Sequence, residues 1–272
     1  MFGEKLENIR KTSPLIHNIT NYVTANDCAN ILLACGASPT MADDASEVEE
    51  ITTISNALNI NIGTLNAMVT GMFLAGKKAN ELGRPVVLDP VGAGASRLRT
   101  DTACRLIDEI RFTVIRGNIS EIKTLASGSG TTKGVDADAA DIVTENTLDQ
   151  AIAFIKAFAA RTGAVIAVTG AIDLVADAGR AFVIRNGRPM MGRVTGTGCM
   201  LSAMTAAYLA ANPGAAMEAA AAAVCAMGVC GEIALERLQE GEGNATYRNR
   251  LIDAMYHLDA QTLEGRARYE IR

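Results

Sequence analysis

Short runs of β-branched and other apolar residues alternate with longer helical patterns for most of this 272-residue chain, and the alternation constrains the fold more than any other feature. The predicted strands are Leu15–Ile19, Ala37–Met41, Leu58–Ile62, Val86–Asp89, Phe112–Ile115 and Val165–Thr169. The predicted helices are Ala25–Cys35, Glu47–Asn56, Ala67–Leu82, Thr100–Glu109, Ile119–Ala126 and Thr147–Arg161. Strands that alternate with helices build a largely parallel sheet with helices on both faces.

The pattern changes after Thr169. Short strands are predicted at Asp173–Val175, Ala181–Ile184 and Arg188–Arg193, and the turn signals between them indicate an antiparallel meander at the sheet edge. Only helices are predicted beyond them, over Gly198–Ala211, Ala215–Leu238 and Ala245–Leu258. No low-complexity linker divides the chain, so residues 1–272 are expected to form a single α/β domain, with Ser127–Asp138 as its most mobile loop.

Charge and hydropathy exclude two classes of partner. The net charge of −5 is mild and the lysines and arginines are scattered, whereas a nucleic-acid groove needs a concentrated basic patch. The uncharged passage Val194–Met217 is broken by Asn212-Pro213-Gly214 and consists mostly of small residues, so it predicts two buried helices rather than a membrane span. We therefore expect neither nucleic acid nor membrane as a partner.

The cysteines indicate a reduced protein. None of the six forms a C-x-x-C pair, and most lie in apolar runs where a free thiol behaves as a small hydrophobe. With two histidines in the chain, a structural zinc site is not expected. The N-terminal segment is charged from Glu4 onward and has no apolar export region, which favours a cytoplasmic location.

Polar residues follow the predicted strands at the edge where ligands bind in open α/β sheets. Asp89 ends the fourth strand, and Arg116, Asn118 and Glu121 follow the fifth. A simpler reading explains part of this set, because Asn118 and Glu121 fit a helix cap and Asp89 fits a turn. The arginine beside them is not explained by a cap, and the combination resembles a magnesium–phosphate site built from hard oxygen ligands.

The strongest local signal is Gly196-Thr197-Gly198-Cys199, which opens an apolar helix. Backbone N–H groups at such a helix start converge on one point and can bind phosphate, although a plain glycine-assisted helix start is the competing interpretation. Thr169-Gly170 at the end of the sixth strand is a weaker signal. The near-match to a Walker loop at Gly71–Lys78 is rejected, because it lies inside a helical pattern and lacks the Ser or Thr after its lysine.

Seven segments together resemble the hydroxyethylthiazole kinases, which belong to the ribokinase-like small-molecule kinases. They occur in family order and are HNITNYV (17–23), GASPTMA (36–42), NIGTL (61–65), LDPVGAGAS (88–96), RGNISEI (116–122), VTG (168–170) and VTGTGCM (194–200). The resemblance implies a ribokinase-like α/β fold and ATP-dependent phosphorylation of the primary hydroxyl of 4-methyl-5-(2-hydroxyethyl)thiazole, in thiamine biosynthesis. It also implies a homotrimer with active sites between subunits.

Position by position, the resemblance implies that Arg116 and Thr169 contact ATP. Asp89, Asn118 and Glu121 would serve Mg²⁺, with Asn118 also placed against the nucleotide. The implied thiazole pocket is lined by Asn21, Val23, Met41 and Gly196. The thioether of Met41 suits that pocket, since polarizable sulfur packs well against a heteroaromatic ring.

The resemblance gives Gly196, Thr197 and Gly198 the role of an anion hole and places Cys199 where the wider superfamily has an aspartate base. A thiol at a helix N-terminus is expected to have a depressed pKa and to act as a modest base. Three alternatives stay open. They are a kinase for another small alcohol such as a hydroxymethylpyrimidine, a hydrolase with Cys199 as nucleophile and His17 as base, and a nucleotide-binding regulator without catalysis.

Overall fold

A nine-stranded sheet organises the protein, for which a computed structural model describes residues 1–128 and 142–272. Its strands are β1 (Leu15–Ile19), β2 (Ser38–Met41), β3 (Ala57–Asn61), β4 (Val86–Asp89), β5 (Val114–Asn118), β6 (Val165–Thr169), β7 (Asp173–Ala176), β8 (Ala181–Ile184) and β9 (Tyr269–Ile271). They lie in the order β2-β1-β3-β4-β5-β6-β7-β8-β9. All pairs from β2 to β6 are parallel, and the three pairs from β6 to β9 are antiparallel.

Helices cover both faces of the sheet. They are α1 (Phe2–Thr12), α2 (Ala25–Cys35), α3 (Val48–Ile54), α4 (Met68–Glu81), α5 (Arg97–Glu109), α6 (Ile119–Ser127), α7 (Leu148–Thr162), α8 (Thr197–Ala211), α9 (Ala216–Glu236), α10 (Asn244–His257) and α11 (Ala260–Arg266). Helices α3 to α7 pack in one apolar cluster, and α1, α2 and α8 to α11 pack in the other. The central strands are buried on both sides, which is why they read as nearly continuous apolar runs. The predicted α/β architecture is confirmed.

Four local predictions need correction. Arg188–Arg193 is not a strand, since Pro189–Arg193 forms a short 3-10 helix with proline in its first turn, where its missing N–H costs nothing. The meander instead gains β9, which was not predicted and pairs with β8. Helices α1 and α11 were also not predicted. Strand β5 ends at Asn118 rather than at Ile115, so Arg116 lies within the strand.

Other predictions can be compared with the described residues. Gly71–Lys78 lies inside α4, where Lys77 and Lys78 pair with Glu109 and Glu81, and a phosphate loop there is excluded. The passage Val194–Met217 contributes to α8 and α9. Helix α9 is long and apolar enough to cross a membrane by composition, yet 89% of its apolar stretch is buried inside the protein, as expected for a core helix. The predicted loop Ser127–Asp138 lies mostly outside the described residues.

Candidate functional site

The carboxyl ends of the parallel strands meet the N-terminus of α8 at one edge of the sheet. Parallel register aligns these ends, because Asn61 of β3 pairs with Asp89 of β4, and Asn118 of β5 pairs with Thr169 of β6. Helix α8 packs on β3 and β4, so its first turn lies over the same edge. The residues that the sequence singled out after separate strands are therefore brought together.

Asp89 is the fully buried centre of this edge. Its Oδ2 accepts hydrogen bonds from Asn61 Nδ2 at 3.0 Å and from Ser202 Oγ at 2.8 Å, and Nη1 of Arg116 lies 3.5 Å away. Burial raises the pKa of Asp89, while Arg116, Ser202 and Asn61 act in the opposite direction. Within the described part of the chain, Oδ1 of Asp89 is buried and has no hydrogen-bond partner.

Arg116 joins the strand ends to the helix start. Its Nη2 donates to Thr169 Oγ1, and its Nη1 faces Asp89. The guanidinium also lies directly against Gly198, because a Cβ atom at position 198 would lie 2.6 Å from Nη1 and 2.8 Å from Nη2. A larger residue at position 198 would displace the guanidinium from this position, so the cation and the first turn of α8 face the same space.

Asn118 and Glu121 form a complete capping box at the start of α6. Asn118 Oδ1 accepts from the Glu121 amide at 2.9 Å, and Glu121 Oε2 accepts from the Asn118 amide at 2.8 Å. Glu121 Oε1 also accepts from the Gly92 amide at 2.8 Å, which ties α6 to the loop after β4. Burial raises the pKa of Glu121 to about 7, and the neighbouring Asp89 adds to the rise. The cap predicted from the sequence is real, and it fixes the Glu121 side chain near Asp89.

The glycine-rich turn at the start of α8 has the geometry of an anion-binding turn. Gly196 is the N-cap with φ +91°, and a Cβ atom there would lie 2.7 Å from Thr24 Cγ2, so both conformation and space require glycine. Thr197 is anchored by a bond from its hydroxyl to the Met191 carbonyl. The first amides of a helix have no intrahelical partner and attract negative charge.

Cys199 is 8% exposed and lies between this turn and the asparagine network. Asn21 Nδ2 donates to Cys199 Sγ at 3.3 Å and to Asn61 Oδ1 at 3.0 Å. The expectation of a depressed thiol pKa is wrong, because burial and then Asp89 raise the pKa of Cys199 above its ordinary value. Hydrogen bonds with Thr24, Asn21 and Asn61 act in the opposite direction and do not outweigh these two effects.

His17 does not assist Cys199. Its Nδ1 is hydrogen-bonded to Thr52 Oγ1 at 2.9 Å and its Nε2 to the Ala42 carbonyl at 2.8 Å. Those partners lie on the α3 face of the sheet, whereas Cys199 belongs to the apolar cluster of the opposite face. The cysteine–histidine arrangement of the hydrolase alternative is therefore absent from the described residues.

Val23 and Met41 lie at the same edge of the sheet but on the protein surface. Met41 ends β2 in register with Asn18 of β1, and Val23 follows β1 by four residues. Val23 is 57% exposed and Met41 is 40% exposed, whereas Asn21 is buried. The predicted thiazole-lining residues thus divide into the buried Asn21, the partly buried Gly196 and an open apolar part.

Two polar residues of this edge, Asn61 and Ser202, were missed by the sequence analysis. Both hold Oδ2 of Asp89. Asn61 could have been found as a polar residue ending a buried strand. Ser202 could have been found from its place in an apolar helix, one turn beyond Cys199 and on the same side.

The described residues contain no group of three or more His, Cys, Asp or Glu side chains that could hold a metal ion. Two carboxyl groups, Asp89 and Glu121, do lie close enough for Asp89 to raise the pKa of Glu121. Mg²⁺ keeps most of its waters and needs only one or two carboxylates besides substrate phosphates. The buried Oδ1 of Asp89, which lacks a partner among the described residues, fits that donor set.

Fold and site together define a ribokinase-like small-molecule kinase. Solved pyridoxal kinases share the fold, such as the Staphylococcus aureus enzyme in complex with pyridoxal, with a TM-score of 0.59 over 95% of this chain and 97% of that one at 15% identity. The particular family is defined by sequence: the chain belongs to the hydroxyethylthiazole kinase family, whose model matches residues 6–261.

Curated relatives and a solved structure agree with this membership. The chain is 63% identical to a hydroxyethylthiazole kinase of Clostridium acetobutylicum, with 99% of both chains covered. It is 49% identical to one of Desulfovibrio desulfuricans, covering 98% of this chain and 97% of that one. The structure of a hydroxyethylthiazole kinase protein from Pyrococcus horikoshii matches with a TM-score of 0.88 at 35% identity, over 100% of this chain and 98% of that one.

The raised pKa of Cys199 predicts slow alkylation. The thiolate is the reactive form, so iodoacetamide at pH 7.5 should modify Cys199 less than about one tenth as fast as it modifies glutathione. The alkylation rate should still rise with pH at pH 9, because a raised pKa shifts thiolate formation to higher pH. Peptide mass mapping over a pH series measures it, with the partly exposed Cys104 as internal reference. A rate that levels off below pH 7 would contradict the raised pKa.

Proposed function

We propose that this protein transfers the γ-phosphoryl group of ATP to the primary hydroxyl of 4-methyl-5-(2-hydroxyethyl)thiazole, in thiamine biosynthesis or salvage. Membership of the hydroxyethylthiazole kinase family supports the reaction. The structural observation that carries it is the guanidinium of Arg116, which faces Asp89 and lies against Gly198. It links the carboxyl groups at the strand ends to the helix start where an anion would bind.

Arg116, Thr169 and Asn118 form the proposed nucleotide side of the site. Arg116 is held by Thr169 and Asp89, so its positive charge is already placed before ATP arrives. Phosphoryl transfer usually has a loose transition state, so positioning and charge neutralisation provide most of the catalysis. A cation with a fixed orientation beside the α8 N-terminus serves both needs.

Asp89 and Glu121 would hold Mg²⁺, Asp89 through its Oδ1. A bound magnesium ion would neutralise charge on the ATP phosphates. Asn61 and Ser202 bind Oδ2 of Asp89 and so fix the direction of Oδ1. Both oxygens of Glu121 already accept backbone amides, which favours contact through a metal-bound water.

The thiazole alcohol would lie between Asn21 and Gly196 on one side and the exposed Val23 and Met41 on the other. Its hydroxyl would then point toward Cys199 and the anion hole formed by Gly196, Thr197 and Gly198. Cys199 would accept the hydroxyl proton only weakly, since its raised pKa keeps the thiol protonated near neutral pH. Most of the rate enhancement would therefore come from Arg116, magnesium and the helix amides.

The exposed apolar side chains of the proposed pocket support a homotrimer with active sites between subunits. The enzyme would have a single domain and be cytoplasmic. Tyr22 and Val23 are 75% and 57% exposed, although they adjoin the buried Asn21. An apolar substrate pocket excludes water. A neighbouring subunit would cover these side chains and complete the pocket.

Light scattering should therefore give a particle mass three times that of one chain. The apolar side chains around Val23 favour association, because their burial removes apolar surface from water. A tenfold dilution series serves as the control, since a stable trimer keeps its mass. A monomer mass at micromolar concentration would reject the trimer.

Glu121→Gln is expected to lower kcat/KM for ATP by about tenfold or more at low magnesium, because a neutral amide attracts the ion less than a carboxylate. Raising the magnesium concentration should restore part of the loss. ATP consumption with the thiazole alcohol, measured over a magnesium series, tests both. Glu109→Gln is the matched control, since Glu109 pairs with Lys77 on the surface and should leave the profile unchanged. An unchanged magnesium response in Glu121→Gln rules out the metal assignment.

Cys199→Asp should keep or raise kcat, because a carboxylate at this position can accept the hydroxyl proton at neutral pH. Cys199→Ala should retain measurable turnover. General-base assistance is worth about a hundredfold to ten-thousandfold, and less when the transition state is loose. Steady-state ATP consumption is compared for the three proteins across a panel of thiazole and pyrimidine alcohols. Total loss in both variants, with a covalent adduct on wild-type Cys199 by intact mass, would instead support a nucleophilic thiol.

A further inference from the structure

A second ion pair lies beside the glycine-rich turn, near Gly196, whereas Arg116 lies against Gly198. Asp27, in the first turn of α2, forms an ion pair with Arg248 of α10, with Oδ1 and Nη2 3.0 Å apart. The Asp27 side chain is 10% exposed and that of Arg248 is 41% exposed. No residue in this pair has a role in the reaction described so far.

The carboxylate of Asp27 approaches the turn itself. Its Oδ2 lies 3.9 Å from the point that a Cβ atom of Gly196 would occupy. Thr24, one helical turn before Asp27, contacts the same glycine. The N-terminus of α2 therefore packs against the N-cap of α8.

Helix α10 holds the other end of this segment. Asn244, at its start, donates from Nδ2 to the Arg193 carbonyl at 3.1 Å, three residues before Gly196. Arg248 follows one turn later and reaches Asp27. The helix thus holds Arg193 and Asp27, two neighbours of the turn, without supplying a residue to the anion hole.

A nearly buried carboxylate next to a phosphate-binding turn poses an electrostatic problem. Two like charges separated by several ångströms repel strongly where water is largely excluded. An opposite charge in contact with one of them cancels most of that repulsion. Arg248 is placed to do so for Asp27.

We infer that the Asp27–Arg248 pair keeps the entrance to the anion-binding turn electrically neutral, so that the transferring phosphoryl group and the phosphorylated product can occupy it. The inference rests on the proposed function, which places that group at Gly196–Cys199. Asp27 and Arg248 are positioning residues, because they act on the reacting group through the field at Gly196.

The test compares Arg248→Gln, Asp27→Asn and the double variant with wild type. The uncharged thiazole alcohol and its doubly charged phosphate ester probe the same pocket with and without charge. In Arg248→Gln, we expect about a tenfold lower kcat and a tenfold weaker inhibition by the product, with KM for the alcohol within about twofold of wild type. Asp27→Asn should shift product inhibition the other way, to a lower Ki than wild type.

In the double variant, kcat and Ki should return to within about threefold of wild type, because the uncompensated charge is gone. Arg250→Gln is the matched control, since it removes an ion pair with Glu242 from the same helix. It should leave kcat, KM and Ki within about twofold of wild type.

A merely structural pair predicts a different pattern. Both single variants would then have a lower melting temperature, and their KM and Ki would rise together. Asp27→Asn would not tighten product binding. That pattern, or an unchanged Ki in Arg248→Gln, overturns the inference. If wild type fails to phosphorylate the alcohol, the proposed function fails separately. Calorimetric binding of inorganic sulfate to the same four proteins then tests the pair, with the same order of affinities expected.

Discussion

The buried charge of Asp89 is the constraint on which the active edge depends. A carboxylate removed from water is costly unless polar partners replace the water. Here the partners come from three elements, Asn61 of β3, Arg116 of β5 and Ser202 of α8. Removing one partner of a buried ion pair typically costs about 3–5 kcal/mol. The charge therefore holds two strands and the helix start in one fixed arrangement, which is the arrangement that the proposed reaction requires.

Small residues let α8 approach β3 and β4 closely enough for Ser202 to reach Asp89. Gly198 leaves the room that the Arg116 guanidinium occupies, and Gly196 leaves room for Thr24. The rest of α8 and the facing part of α9 are rich in alanine and are almost wholly buried. A helix with larger side chains would lie farther from β3 and β4, and Ser202 would no longer reach Asp89. The alanine-rich composition is thus part of the site as well as of the core.

The sequence predicted the sheet because buried parallel strands carry their own pattern, and it predicted Asp89, Arg116, Asn118 and Glu121 because residues after such strands share one edge. It could not predict β9, which has three residues and exists only because β8 presents an unpaired edge. Nor could it give the pKa of Cys199: the helix N-terminus is visible in the sequence, while burial and the distance to Asp89 depend on tertiary packing. Asn61 and Ser202 do carry a sequence signal, as polar residues at a strand end and in an apolar helix, but their bonds to Asp89 depend on tertiary packing.

The competing interpretations of Asn118 and Glu121, a helix cap or a ligand site, prove compatible. The capping box fixes both side chains through backbone amides, and the bond from Gly92 ties Glu121 to the loop after Asp89. A flexible glutamate would lose conformational entropy on meeting a metal–nucleotide complex, whereas a capped one has lost it during folding. The same bonds that satisfy the start of α6 therefore preorganise the carboxyl group. A simple structural explanation for a polar residue does not argue against a functional one when the residue lies at the carboxyl edge of a parallel sheet.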